Sequence, residues 1–136
     1  MGTGAAVLRL LHVGRHTGKR YATVLEVVRH DLRRAEFVVV SGFGTRTDWL
    51  RNIETGNPVE VTVGRRTFVA DHRRLDREEA FAVMAAYERR NRMIGPVLRK
   101  ALSWLLGWCY DGSVASRWRL VGQLPMVALR PAQPRE

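Results

Sequence analysis

VLRLLHVGRHTGKRYATVLEVV, residues 7–28, decides how this chain folds. Val7 to Val13 and Tyr21 to Val28 are two β-forming runs, and Gly14 to Arg20 between them is a short loop dense in glycine and cations. Runs joined by so short a connection pair antiparallel, because a parallel return needs a crossover of about a dozen residues or more. The pattern continues downstream. Glu36 to Ser41 (EFVVVS) is a continuous apolar run suited to a buried strand, preceded by a turn at HDLRR, residues 30–34. Val59 to Val63 and Thr67 to His72 flank Gly64-Arg65 as a second hairpin, and PMVALRP, residues 125–131, reads as a last strand.

Helices fall between and after the strands rather than alternating with them. In TRTDWLRNIETGNP, residues 45–58, Thr45 or Thr47 can cap a short helix that Gly56 and Pro58 end. Asp76 and Glu79 form a capping box for a second helix. Its apolar stripe is Ala80, Phe81, Met84, Ala85 and Tyr87, with Arg77, Glu78, Glu88 and Arg89 toward water. Gly95-Pro96 breaks that helix and opens another, whose apolar side is Val97, Leu98, Ala101, Leu102, Leu105 and Trp108. Val114 to Gly122 is a further helix, and the tail after Pro131 is expected to fray. Antiparallel pairing with segregated helices predicts an α+β chain built on a small barrel, not a doubly wound parallel sheet.

The 136 residues form one expected domain, 1–136, with a helical insertion at about 96–123. Lys and Arg number 23 against 13 Asp and Glu, an excess of +10 that points to an anionic partner: nucleic acid, membrane surface or small molecule. Cys109 is alone, so the chain can form no internal disulfide and no cysteine zinc site. The start lacks the cationic and cleavage features of a secretory leader, which predicts a cytoplasmic protein. His12, His16, His30 and His72 have no partners at metal-motif spacing, so no metal is expected. No serine stands in a nucleophile elbow.

GRHTGK is not a phosphate loop of the Walker kind: three residues, not four, separate its glycines, and Arg20 follows the lysine. Its donors could still ring an anion, or simply be a solvated hairpin tip. The helix after SGFG, residues 41–44, offers an amino end to negative charge, while Trp49 and Asn52 share one of its faces. Trp49 alone reads as a core anchor, and Asn52 as a tie between helix and loop. The stripe of Pro96 to Trp108, with Trp104 and Trp108, either covers a core or lies on a membrane surface.

Taken in order and spacing, GRHTG (14–18), VVVSGFG (38–44), DWLRN (48–52) and NPVEVTVGRRTF (57–68) resemble the deazaflavin-dependent nitroreductase and quinone reductase family. The likeness runs from about Leu10 to Tyr87 and again over LPMVALRP, residues 124–131. It implies a mainly antiparallel split β-barrel, similar to the FMN-binding barrels, of about six strands with peripheral helices. The implied cofactor is coenzyme F420, with FMN the lesser alternative. Arg15, His16, Thr17, Gly18 and Lys19 would hold its phosphate and acidic tail. Thr23, Val24 and Leu25 would run beside the ring; Ser41, Gly42 and Gly44 would wrap its other side, with Trp49 and Asn52 closing that wall. Tyr87 would be the catalytic position, facing a small apolar acceptor.

The implied reaction is hydride transfer from reduced deazaflavin to a quinone, enone or nitro compound. The chain departs from the family pattern at His16, where Lys or Arg is usual, and at Glu26, near a common aromatic. Two other readings compete: a basic barrel binding single-stranded nucleic acid, and a non-catalytic carrier of flavin or lipid in the same pocket. The aromatics fall mainly at core-like positions, so no nucleic acid partner is expected. Peripheral membrane contact and a homodimer are both left open.

Overall fold

The structure, a computed structural model, describes residues 6–42 and 47–132. Six strands and four α-helices follow one another as β1 (Ala6–Val13), β2 (Arg20–Asp31), β3 (Glu36–Val40), α1 (Asp48–Glu54), β4 (Glu60–Val63), β5 (Arg66–Arg74), α2 (Arg77–Arg90), α3 (Gly95–Leu106), α4 (Val114–Gln123) and β6 (Met126–Pro131). A 3₁₀ turn, Arg92–Ile94, joins α2 to α3. The strands close into a barrel in the order β1-β2-β3-β6-β5-β4, and every pairing is antiparallel. This is the six-stranded antiparallel barrel with peripheral helices that the sequence predicts.

The opening hairpin forms as expected, with Val13 opposite Arg20 and Leu8 opposite Leu25. Its loop closes through the Gly14 N–H on the Lys19 carbonyl and the Gly18 N–H on the Gly14 carbonyl, at 2.8 and 2.9 Å. Gly18 has φ of 72°, a conformation that a side chain would strain. Period-two alternation then sorts β1: Leu8, Leu10 and His12 are buried inside, while Val7 and Arg9 face out.

Two apolar layers explain why β3 and β6 read as unbroken hydrophobic runs. Phe37 and Val39 of β3, with Val127 and Leu129 of β6, fill the barrel together with Leu8, Leu10 and Val61. Val38, Met126 and Ala128 point the other way, into a layer made with α2, α4 and Leu106 of α3. Strands buried on both faces lose the polar alternation that marks a half-exposed strand. α1, at seven residues, is too short to hold its shape in water alone. It persists because Trp49, Leu50 and Ile53 are buried in the barrel layer, each such side chain contributing about 1.5–3 kcal/mol.

Several boundaries differ from the sequence reading. β2 continues through His30 and Asp31, which pair with Phe37 and Glu36, so the expected turn is pushed to its last residues. β5 runs on to Arg74 because that end pairs with Val127 of β6. Asp76 caps α2 by accepting from the Glu79 N–H at 2.8 Å, but the Glu79 carboxylate does not reach back. It binds Arg73 instead, and Arg73 also forks onto the buried Glu36 at 2.8 and 2.9 Å. Glu88, expected in water, accepts from the Tyr110 hydroxyl and pairs with Arg117 at 2.5 Å.

The third helix divides its apolar residues. Leu102 and Leu105, with Trp108 just past the end of α3, pack on the outer layer, whereas Val97 and Ala101, assigned to the same side, are exposed. Trp104 is 82% exposed. No helix among the described residues is long and apolar enough to cross a membrane.

Candidate functional site

A cavity of about 890 Å³ opens between the β1–β2 hairpin, the adjoining length of β2 and the amino half of α1. That volume is in the range of small-molecule and cofactor pockets. Of the residues assigned to the cofactor from sequence, Arg15, His16, Thr17, Thr23, Val24, Leu25, Gly42, Trp49 and Asn52 line it together, although they come from three separate segments. Gly18 and Lys19 are not among the lining residues; they shape the turn through its backbone bonds. Ser41 is fully buried beside the wall and donates from its hydroxyl to Thr47 Oγ1 at 2.8 Å. Gly44 lies outside the described residues, as does Thr45, one of the two cap candidates.

Asn52 is the hub of the site. Its Oδ1 accepts two bonds from Arg15, one from the backbone N–H at 3.1 Å and one from Nη1 at 2.8 Å. Its Nδ2 lies 3.0 Å from His12 Nδ1. The helix-loop tie read from sequence is therefore present, and the loop it ties is the cation-rich hairpin. Trp49 is buried in the barrel core, as its reading alone predicts, and also lines the cavity.

Arg15 reaches the cavity with its fork already engaged. Nη1 is on Asn52, and Nη2 approaches Asp48 Oδ1 at 3.3 Å. Its first role is to latch the hairpin onto α1. Of the turn's amides, those of Gly14, Arg15, Gly18 and Lys19 are bound within the protein. Those of His16 and Thr17, both lining residues, have no protein acceptor among the described residues. Asp48 carries a carboxylate in the first turn of α1, and Thr47 makes no side-chain capping bond to the helix.

Tyr87 stands behind the wall rather than on it. Its hydroxyl donates to Glu26 Oε2, and Glu26 lines the cavity. Burial and the neighbouring carboxylate hold the Tyr87 hydroxyl well above its ordinary pKa, so it keeps its proton throughout the neutral range.

Sequence reasoning missed His12, Tyr21, Glu26, Thr47 and Asp48 as lining residues. For His12 a signal existed. It stands at period two from Leu8 and Leu10, so a polar ring was bound to face inward among apolar neighbours. Among the described residues no group of three or more His, Cys, Asp or Glu could hold a metal ion.

The sequence profile of the F420H(2)-dependent quinone reductases matches residues 2–95, more than half of the 136. The chain belongs to that family. Membership makes it an oxidoreductase that works with coenzyme F420. The matched segment contains the hairpin, α1 and α2, hence every residue of the cavity described above.

Solved structures share the fold at low identity. An F420-H2 dependent reductase superposes with TM-score 0.54 at 13% identity, over 91% of this chain and 93% of that one. A protein of unknown function from Agrobacterium tumefaciens gives 0.57 at 16%, covering 95% of this chain, which spans only 50% of its length. An FMN binding protein from Nostoc punctiforme, related to pyridoxamine 5′-phosphate oxidase, gives 0.56 at 13%, over 92% and 70%. The architecture is that of the FMN-binding split barrels. Among curated proteins none matches.

Proposed function

We propose that this F420H(2)-dependent reductase passes hydride to a small apolar, electron-poor acceptor (a quinone, enone or nitro compound) within the hairpin–α1 cavity. The observation that carries the reading is convergence. Nine residues assigned to the cofactor from short motifs tens of residues apart line one open space of cofactor size. The donor set suits an elongated anionic ligand. His16, the free amides of His16 and Thr17 and the remaining N–H groups of Arg15 gather at the hairpin end, and Thr23 to Leu25 offer a strand edge and apolar surface further in.

When bound, reduced F420 supplies the hydride, and the chemistry is the cofactor's own. The protein's contribution is placement and dryness. Thr23, Val24 and Leu25 on one side and Gly42 and Trp49 on the other would flank a planar ring and keep water from it. A Cβ at Gly42 would meet the Leu105 side chain at 3.6 Å, so glycine leaves room there for α3 to pack close behind the wall. Arg15 and Asn52 hold the two walls at a fixed separation. Hydride arrival leaves negative charge on the acceptor's oxygen. Tyr87 is proposed to turn its hydroxyl from Glu26 toward that charge, as a hydrogen-bond donor that stays protonated.

An apolar acceptor and the exposed face of α3 fit one setting. Ile94, Val97, Ala101 and Trp104 recur at three- and four-residue spacing and all face solvent, with Arg92 and Lys100 beside them. In a chain of net charge +10, that face suits peripheral contact with an anionic membrane. The test of the main reading is anaerobic mixing with reduced F420 and a soluble quinone. Enzyme-dependent reoxidation is expected. The carrier alternative predicts binding of the cofactor with no turnover, and the nucleic-acid alternative predicts neither.

A further inference from the structure

His12 was set aside in sequence because it had no metal-ligand partner, yet it is one of few buried polar side chains in the described residues. Its two ring nitrogens are both engaged, Nδ1 with Asn52 Nδ2 at 3.0 Å and Nε2 with Thr23 Oγ1 at 2.9 Å. The direction of each bond follows from its neighbours. Arg15 donates twice to one oxygen of Asn52, from its backbone N–H and its guanidinium, so that atom is the amide carbonyl. The other end of Asn52 is then the NH₂ group, a donor only. His12 Nδ1 must accept from it and cannot carry a proton.

A neutral ring with bare Nδ1 carries its hydrogen on Nε2. That hydrogen points at Thr23 Oγ1, which accepts. Thr23's own hydroxyl hydrogen is thereby turned away from His12, and among the described residues it has no other protein acceptor. Thr23 lines the cavity. Register puts it inside the barrel, opposite Leu10 and diagonal to His12 across the hairpin.

We infer that Arg15, Asn52, His12 and Thr23 form one directional chain of donors, in which His12 is a positioning residue that aims the Thr23 hydroxyl into the cavity to meet an acceptor oxygen of the bound deazaflavin ring. The inference rests on the cofactor reading and adds a residue and a polarity to it. The chain starts on a guanidinium, a permanent donor, so its direction cannot reverse while Arg15 and Asn52 stay joined. Bonds aligned head to tail also polarise one another, which strengthens the last donor. The same chain excludes the imidazolium form. With both nitrogens protonated, Nδ1–H would face the Asn52 NH₂, donor against donor. Burial of the ring works in the same direction, favouring the neutral form against the nearby Asp48.

The first test needs no cofactor. Nitrogen-15 NMR of labelled histidine in the ligand-free protein should show His12 as the neutral Nε2–H tautomer at pH 7. An Nδ1–H tautomer or a charged ring would overturn the inference while leaving the cofactor reading intact. The second test is F420 affinity by fluorescence titration. Thr23→Val removes the donor with little change of shape and should weaken binding about five- to tenfold, while Thr23→Ser keeps it. His12→Phe should weaken binding similarly in the native background and add nothing on top of Thr23→Val. Fully multiplying losses would show that His12 acts only through general structure. Should His12→Phe fail to fold, the tautomer and the Thr23 pair still decide. If the unmodified protein binds no F420, the functional reading falls instead, and the ring-directed role of Thr23 falls with it.

Discussion

Replacing Asn52 by leucine tests whether the cavity is held open by one side chain. Leucine has the same branching and number of side-chain heavy atoms, so the shape beside Trp49 and Ile53 is largely kept while three hydrogen bonds go: Arg15 N–H at 3.1 Å, Arg15 Nη1 at 2.8 Å and His12 Nδ1 at 3.0 Å. The two neutral bonds are each worth about 1 kcal/mol and the guanidinium bond about 2 kcal/mol, because one partner is charged. Water can enter the open cavity and re-pair part of what is left, so the net loss comes to about 2–3 kcal/mol. Urea unfolding followed by tryptophan fluorescence should report that loss at an unchanged slope. F420 affinity should fall by more than tenfold, since hairpin and helix are no longer joined. Thr55→Val is the control. It removes a hydroxyl bond to the Asn52 carbonyl on the far side of the same helix, at 2.6 Å. That variant should cost about 1 kcal/mol and leave cofactor binding alone. If Asn52→Leu loses less than about 0.5 kcal/mol and binds F420 normally, the latch is not what shapes the site.

Tyr87→Phe should lower turnover about ten- to a hundredfold with F420 affinity unchanged, as expected for a single donor to developing charge; equal turnover would remove Tyr87 from the chemistry. Arg73→Met should destabilise by about 2–3 kcal/mol, because Glu36 is left buried without its fork and Glu79 keeps only the longer pair with Arg34 at 3.5 Å. Stability should also depend on that pair in acid. Bonds from Arg73 hold Glu36 and Glu79 below the ordinary carboxylate range, so their contribution is complete above that range and is lost as pH falls through the depressed values. An acid-unfolding midpoint unmoved by Arg73→Met would contradict this. Trp104→Ser should leave the urea midpoint within about 0.5 kcal/mol, the side chain being exposed, yet reduce co-sedimentation with anionic vesicles; undiminished binding would dismiss α3 as the contact.

What the sequence disclosed depended on whether a residue's role was local. The hairpin at Gly14 to Lys19 was legible because glycine and chain reversal are local facts, and the Asp76 cap because its partner is three residues away. β3 and β6 were legible as strands, since burial on both faces leaves an unmistakable apolar run. The closure of the barrel, β1 against β4, joins segments some fifty residues apart and has no local signature. Glu79 shows the same limit. Read as half of a capping box, it was drawn instead to Arg73, which approaches from the neighbouring strand.

The site followed that rule too. Arg15, His16 and Thr17 stood out through the turn they sit in, and Trp49 and Asn52 through the helix they share, while their cofactor roles came from the family resemblance. His12 and Glu26 were missed because their importance lies in what stands opposite: Asn52 forty residues away for one, Tyr87 on α2 for the other. At the start of α1 two local signals oppose each other. Asp48 is a good first-turn residue for the helix, and its carboxylate, paired with Arg15, shares the end that the helix dipole offers to an anion.

The most direct test of the account is a crystal structure of the protein with F420 bound. The ring should lie between Thr23 to Leu25 and the Gly42–Trp49 wall, with the phosphate and acidic tail running out over Arg15, His16 and Thr17. A cofactor seated elsewhere, for example in the pocket lined by Arg89, Arg92 and Arg99 between α2 and α3, would contradict it.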